Sequence, residues 1–278
     1  MRLIDVEHLG NERVIGCWEV GGVLIDPGPT SSLSTLLDAV GDEPRAVLLT
    51  HVHLDHAGGA GALVARWPRL PVYVHERGAP HLADPSKLVA SASRLYGDEM
   101  ERLWGAVAPV PKANLYALAG GEEVLGFRVA YTPGHASHHV SYLHSDSGRA
   151  FVGDTAAVRI PPAAFAMPPT PPPDIDLELW ERSLDAIADW SPSSLGITHF
   201  GALDDPAAHL ETVRRRLREQ GRRAREMDAA EFERAVRDEI ASESGERAAG
   251  AMLQAVPPEQ QWAGLDRYWR GRRAQVPL

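Results

Sequence analysis

Between Val14 and Ile25 the residues Val14, Ile15, Cys17, Trp18, Val20, Val23, Leu24 and Ile25 form two β-rich runs split by Gly21-Gly22, a hairpin pattern. The period then changes. Leu33, Leu36, Leu37 and Val40 recur at helical spacing across 32–40, and 46–49 is a short apolar run that reads as a buried strand leading into His51. Residues 60–67 predict a helix stopped by Pro68, 71–75 a strand, and 86–104 one or two helices. Residues 126–131, 140–144 and 150–152 read as strands, most of them ending at a histidine or an aspartate. A helix is predicted over 177–190, with Asp176 able to cap it, and 195–198 is a last short strand running into His199. Alternating strands and helices after an opening hairpin imply sheets covered by helices, an α/β layered core.

Two segments depart from this alternation. Residues 161–173 carry seven prolines in thirteen positions, which forbids a helix or central strand and predicts an extended, stiff loop. It reads either as a surface linker or as a wall over the site that begins at Asp154. From Asp205, a cap ahead of Pro206, the chain turns into Arg- and Glu-rich helix with three apolar stripes: Leu210, Val213 and Leu217; Phe232, Val236 and Ile240; Trp262, Leu265 and Trp269. The expected division is accordingly a layered α/β domain over 1–204 and a C-terminal helical extension over 205–278, packed on the core.

Composition narrows the class. With 278 residues, 44% hydrophobic and 24% charged, the chain has ordinary globular make-up, which excludes disorder, collagen-like repeats and disulfide-stapled miniproteins. Its single cysteine, Cys17, permits no intramolecular disulfide, suits a cytoplasmic setting and sits in a strand-like run as inert core. Lys plus Arg number 28 against 38 Asp plus Glu, a net charge of −10 that argues against nucleic acid and anionic lipid as partners. Positions 206–278 hold 14 of the basic residues and 12 of the acids, leaving 14 and 26 in the first 205, so the core is the acidic part. The run Arg214, Arg215, Arg216, Arg218, Arg222, Arg223 and Arg225 then reads as a solvated helix face, salt-bridged to that core. No stretch approaches the ~20 apolar residues of a spanning helix, and neither a membrane nor export is expected.

The chemistry concentrates in Thr50-His51-Val52-His53-Leu54-Asp55-His56-Ala57-Gly58-Gly59. Four metal-ligating side chains fall within six residues. In extended backbone, side chains two apart project to one side, so His51 and His53 can clamp one metal while the turning chain swings Asp55 and His56 toward a second. Gly58-Gly59 lets the loop pass tightly into the next helix. Four ligands cannot complete two sites. His135 in Thr132-Pro133-Gly134-His135, Asp154 in Val152-Gly153-Asp154-Thr155, and His199 in Ile197-Thr198-His199 supply the remainder, each after a short apolar strand. His138 and His139 read as packing or orienting groups, and His8, His75, His81, His144 and His209 as surface or strand-end residues.

This order and spacing resembles the metallo-β-lactamase-fold hydrolase superfamily, whose signature is H-x-H-x-D-H followed by a His, an Asp and a final His. Thr-Pro-Gly-His-x-x-x-His, ending at His139, is similar to its glyoxalase II-like branch. The resemblance covers roughly positions 1–200. It implies a four-layer αβ/βα sandwich with the metals at one edge, extended here by the C-terminal helices. It further implies that His51, His53 and His135 bind one metal, that Asp55, His56 and His199 bind the other, and that Asp154 bridges them. Two divalent metal ions are expected, zinc first, with iron or manganese as alternatives. A water between cations ~3.5–4 Å apart loses its proton near neutral pH and becomes a positioned nucleophile, with Asp55 as catalytic proton acceptor.

The expected activity is therefore binuclear metal-dependent hydrolysis of a carboxylic ester or thioester in a small-molecule substrate, with a homodimer left open. The glyoxalase II motif after the bridging aspartate is absent, because the chain reads Thr155-Ala156-Ala157-Val158. A lactonase or a phosphodiesterase on the same metals is the hydrolytic alternative, although the tyrosine that lactonases carry after the bridging aspartate is missing here, Ala157 standing near its place, and the inserted domain of long RNA-processing relatives cannot fit. A mononuclear-iron persulfide dioxygenase is the oxidoreductase alternative. Diiron flavoproteins carry Glu where this chain has His53, and complete ligands argue against an inactive binding protein.

Overall fold

The computed structural model describes residues 1–273, and the last five residues of the predicted extension lie outside it. Six strands, β1 (Arg2–Asp5), β2 (Gly16–Val20), β3 (Val23–Ile25), β4 (Ala46–Leu48), β5 (Val72–His75) and β6 (Leu115–Leu118), form one sheet in chain order. The β1–β2–β3 pairs are antiparallel, the Gly21-Gly22 turn closing the predicted hairpin, and β3 to β6 are parallel. Parallel neighbours need crossovers, and helices supply them: α1 (Leu33–Val40), α2 (Leu54–Ala57), α3 (Ala60–Arg66), α4 (Ala79–Ala83), α5 (Ser86–Tyr96) and α6 (Met100–Trp104). The second sheet holds β7 (Glu123–Val124), β8 (Phe127–Tyr131), β9 (Val140–His144), β10 (Arg149–Phe151), β11 (Ser194–Ile197) and β12 (Gly201–Leu203), again in chain order. The helix α7 (Leu177–Asp189) crosses between β10 and β11, the one parallel pair in this sheet, and Leu179 N–H donates to the Asp176 cap at 2.9 Å.

Strand alternation assigns the layers. In β4 and the residue after it, Val47 and Leu49 pack with Leu36, Leu63 and Val64 from the first set of helices. Ala46 and Leu48 face the other way, with Trp18, Val23 and Ile25, onto Phe127, Val129, Tyr142 and Phe151 of the second sheet. The outer face of that sheet, including Ala150, Leu195 and Ile197, packs on Trp180, Leu184 and Ile187 of α7. The result is helix, sheet, sheet, helix, the expected four-layer αβ/βα sandwich, and burial of strands on both faces explains their unbroken apolar runs. Cys17 is buried on the helix-facing side.

Beyond β12 come α8 (Pro206–Glu226), α9 (Ala229–Ala255, interrupted at Gly245) and α10 (Pro258–Arg273). Asp205 caps α8, and Asp228 with Glu231 forms a reciprocal capping box on α9. Leu210, Val213, Leu217, Phe232, Val236, Ile240 and Leu265 all join the core cluster of the second sheet, while Ala251 and Ala255 touch both outer clusters. The Arg run is largely engaged with carboxylates. Arg214 meets Glu181 and Asp185 of α7, Arg216 and Arg223 meet Glu239 of α9, and Arg222 pairs along its own helix with Glu219 and Glu226. Arg216 and Arg223 are mostly buried, so part of this face is an internal ion-pair seat and not a solvated one. No helix among the described residues is long and apolar enough to cross a membrane.

The proline-rich segment is a wall. Phe165, Ala166 and Met167 are buried in the core, and Val158 and Met167 exchange backbone hydrogen bonds at 3.0 and 2.9 Å, which excludes the surface-linker reading. Three histidines expected at surfaces or strand ends are also interior. His8 Nε2 reaches Leu103 O at 2.7 Å, His209 Nε2 reaches Ala156 O at 2.8 Å, and His75, at its strand end, stacks on Tyr131. Each satisfies a backbone or packing need that no local pattern announces.

Candidate metal centre

The centre lies where strands of both sheets end. From the first sheet, β4 runs out into Leu49-Thr50-His51, and His53 follows in extended conformation at the start of α2, whose single turn carries Asp55 and His56. Gly58 and Gly59 take ordinary right-handed conformations, contrary to the tight turn expected of them. Their function is close approach: a β-carbon on Gly59 would lie 3.0 Å from Gly28 O, whose carbonyl accepts the Gly59 N–H at 2.8 Å. From the second sheet, His135 sits in the β8–β9 connection, Asp154 in the turn after β10 and His199 after β11. All seven sequence-predicted residues come together here, in two sets.

In the first set, His51 Nε2, His53 Nδ1 and His135 Nε2 form a triangle with sides of 3.0, 3.0 and 3.2 Å. Ligands ~2.0–2.1 Å from a tetrahedral cation lie about 3.3 Å apart, so the triangle has the size of one coordination sphere. The second set gathers Asp55 Oδ2, His56 Nε2, Asp154 Oδ1 and His199 Nε2, with separations of 3.2 Å from His56 to Asp154 and 3.3 Å from His199 to both Asp55 and His56. Asp154 turns its other oxygen, Oδ2, to 3.3 Å from His135 Nε2, so one carboxylate faces both sets.

The outward-facing atoms define the protonation of the rings. His56 Nδ1–H donates to Asp26 Oδ2 at 2.9 Å, His135 Nδ1–H to Pro169 O at 2.8 Å, and His199 Nδ1–H to Val14 O at 2.5 Å. Asp26 also accepts the Thr50 and Thr198 hydroxyls and the Thr50 N–H, at 2.7, 3.0 and 2.8 Å. With its proton committed to Asp26, the Thr50 hydroxyl accepts from His51 Nδ1 at 3.1 Å. Each Nε2 of these four rings is therefore a lone pair aimed inward. Asp154 Oδ1, wholly enclosed, has no hydrogen-bond partner among the described residues. Imidazole nitrogens and carboxylate oxygens converging in this way fit divalent cations, and donors of N and O type suit first-row metals.

Charges in the protein follow the same layout. Burial, reinforced by neighbouring His56, His53 and His135, holds His51 well below the usual histidine range, and burial takes His53 down to about 4. Burial also opposes protonation of His56 and His199, yet the adjacent Asp154 and Asp55 outweigh it and raise both. Burial works against ionised Asp55 and Asp154 as well, but His56 and the other imidazoles keep both carboxyls below the ordinary range. Protons and cations compete for these lone pairs. His51, His56, His135, Asp154 and His199 are buried, whereas His53 and Asp55 are partly exposed, which marks the open side of the centre.

His139 is buried against the Thr132 hydroxyl at 2.9 Å, and His138 accepts Val52 N–H at 3.4 Å, so neither joins a set. Sequence reasoning missed Asp26. Its one signal is its position at the end of β3 ahead of Pro27-Gly28, the same strand-end setting as the residues it supports.

Comparison with known proteins agrees with this geometry. A profile of the metallo-beta-lactamase superfamily matches residues 19–191. A metallo-beta-lactamase fold-containing protein, ST1585 of Sulfurisphaera tokodaii, is 30% identical over 208 residues, covering 72% of this chain and 76% of its own. Its crystal structure superposes with a TM-score of 0.67 at 25% identity, over 91% of this chain and 93% of that one. The hydroxyacylglutathione hydrolase of Legionella pneumophila (strain Lens) is 27% identical over 139 residues, 49% of this chain and 44% of that protein, so the match spans less than half of such relatives. The protein TTHA1623, solved in a di-iron-bound form, gives a TM-score of 0.52 at 28% identity, over 70% of this chain and 89% of that one. With the profile spanning most of the chain and both sheets in place, this protein belongs to the metallo-beta-lactamase superfamily.

Proposed function

We propose that this chain is a metal-dependent hydrolase of carboxylic esters or thioesters, using two divalent cations. The observation that carries the reading is the convergence of five imidazole nitrogens and two carboxylates into two sets joined by Asp154. His51, His53 and His135 would hold one cation, Asp55, His56 and His199 the other, and Asp154 both. Bound there, the cations would polarise a carbonyl and acidify water near neutral pH.

The chain's own groups do the rest. Asp26 and the carbonyls of Pro169 and Val14 fix the ring tautomers, so no reorientation is required during reaction. Asp55, partly exposed on the open side, takes a proton from the attacking water and returns it to the leaving group. Similarity to hydroxyacylglutathione hydrolases supports a thioester, although the sequence after Asp154 departs from that pattern. Zinc is the proposed metal, and the di-iron form of TTHA1623 favours iron as the alternative. The reading assigns catalysis to 1–204 and treats 205–278 as a helical extension. Engagement of the α8 arginines with carboxylates supports a small-molecule substrate over nucleic acid.

The test is a panel of ester, thioester, lactone, phosphodiester and persulfide substrates assayed with zinc, iron(II) and manganese. Chelator-sensitive turnover of an ester or thioester is expected. Oxygen uptake with a persulfide at one iron per chain would replace this reading by a dioxygenase.

A further inference from the structure

We propose that α10 holds His135 in position through the proline-rich wall, with Gln261 as the positioning residue. The proposal rests on the reading of His135 as a metal ligand. In the wall, 168–173 reads Pro-Pro-Thr-Pro-Pro-Pro, so Thr170 has the only backbone N–H in six residues. That N–H donates to Gln261 Oε1 at 2.5 Å, and the Thr170 hydroxyl donates to Gln261 O at 3.0 Å. The amide is itself oriented, because Gln261 Nε2 donates to Pro257 O at 3.3 Å.

Both residues are interior, Thr170 1% and Gln261 3% exposed, so no water replaces these bonds at low cost. Three residues along, Gly264 lies so close that a β-carbon would run into the Thr170 carbonyl. The neighbouring carbonyl, Pro169 O, takes the His135 Nδ1 proton at 2.8 Å and thereby keeps Nε2 as a lone pair. A shift of Thr170 moves Pro169 O with it, and the ring loses the partner that sets both its rotation and its tautomer. The extension thus acts on the first set from 126 residues away in sequence, with none of its described residues among the ligand sets of the centre.

Two variants disturb the wall by different means: Gln261→Met removes the acceptor, and Gly264→Ala pushes against Thr170. Trp269→Phe is the control, since it removes the Trp269 Nε1 hydrogen bond to Gly221 O at 2.8 Å and loosens docking of α10 on α8 without touching the wall. Zinc alone is titrated into each full-length, metal-free protein against a competing chelator. Histidine-labelled protein is followed by NMR for the His135 Nδ1 proton. Both wall variants should weaken one of two zinc equivalents by about 10-fold, the low end for loss of a partner to a ligating imidazole. They should also expose that proton to exchange, while Trp269→Phe changes neither. Wild-type zinc affinity in both wall variants, or equal weakening in Trp269→Phe, overturns the proposal. Failure of the wild-type chain to bind two equivalents would instead overturn the reading of the centre on which it rests.

Discussion

Asp26→Asn would test the hydrogen-bond logic of the centre, because this one carboxylate fixes a ring in each set. Its Oδ2 accepts three donors, from His56, Thr50 and Thr198, and its Oδ1 accepts Thr50 N–H. Asparagine keeps the shape but replaces one acceptor by an NH2 group, and either way round it sets a donor against a donor. With the nitrogen toward His56, the imidazole must move its proton to Nε2 and loses the inward lone pair. The other way round, buried Thr50 N–H is orphaned at a cost of about 1–3 kcal/mol. In both cases the negative charge behind His56 disappears. A hydrogen bond to a charged group contributes about 1.5–3 kcal/mol, or roughly 10- to 150-fold in an equilibrium constant. That range brackets the ~10–100-fold in affinity typical of such supporting groups. The assay is zinc competition against a chromophoric chelator, paired with urea unfolding of the metal-free protein. A folded Asp26→Asn protein with wild-type affinity for both equivalents and an unchanged urea midpoint would refute the reasoning.

Asp55→Ala should lower turnover by about 10²–10⁴-fold while leaving the fold largely intact by circular dichroism, and near-wild-type hydrolysis would remove Asp55 from proton transfer. Asp154→Ala should reduce occupancy of both cations together; metal analysis showing one cation fully retained would disprove sharing. His209 is held at about 4 chiefly by burial, against 6.5 unfolded, so the unfolded chain binds a proton that the native state declines as pH falls through that window. Its contribution to stability is present above pH 6.5 and is lost toward pH 4, by about 2 kcal/mol between pH 7 and 5. His209→Gln should flatten that slope in urea midpoints measured at the two pH values, and an unaltered slope would contradict the assignment.

The seven centre residues were legible because four of them crowd into the six positions 51–56 and the other three follow short apolar strands within a few residues, and strand ends are where layered α/β folds expose side chains. The layers were legible for a related reason: β3 and β4 are buried on both faces and leave unbroken apolar runs. Edge strands leave no such trace. In β6 Tyr116 is exposed, and β7 has two residues, so neither carries enough pattern to read. Asp26 escaped because one aspartate before Pro-Gly looks like a turn, and its donors lie 24 to 172 residues away. The wall was one of two readings of 161–173, but its anchor escaped likewise, since Gln261 is 91 residues from Thr170. Interior histidines such as His8 and His209 bond to carbonyls that only tertiary structure brings near.

Neither sheet owns a complete donor set. His51 and His53 wait on His135, and Asp55 and His56 on Asp154 and His199, while only residues 119–122 join the last strand of one half to the first strand of the other. Occupants of the centre would therefore act as rivets across the seam of the molecule. A site at a thousand times its Kd adds about 4 kcal/mol to native stability, a sizeable share of the total for a domain. On that view the same seven side chains proposed to do the chemistry would also bear the mechanical load, and starving the protein of metal would slacken it and silence it together.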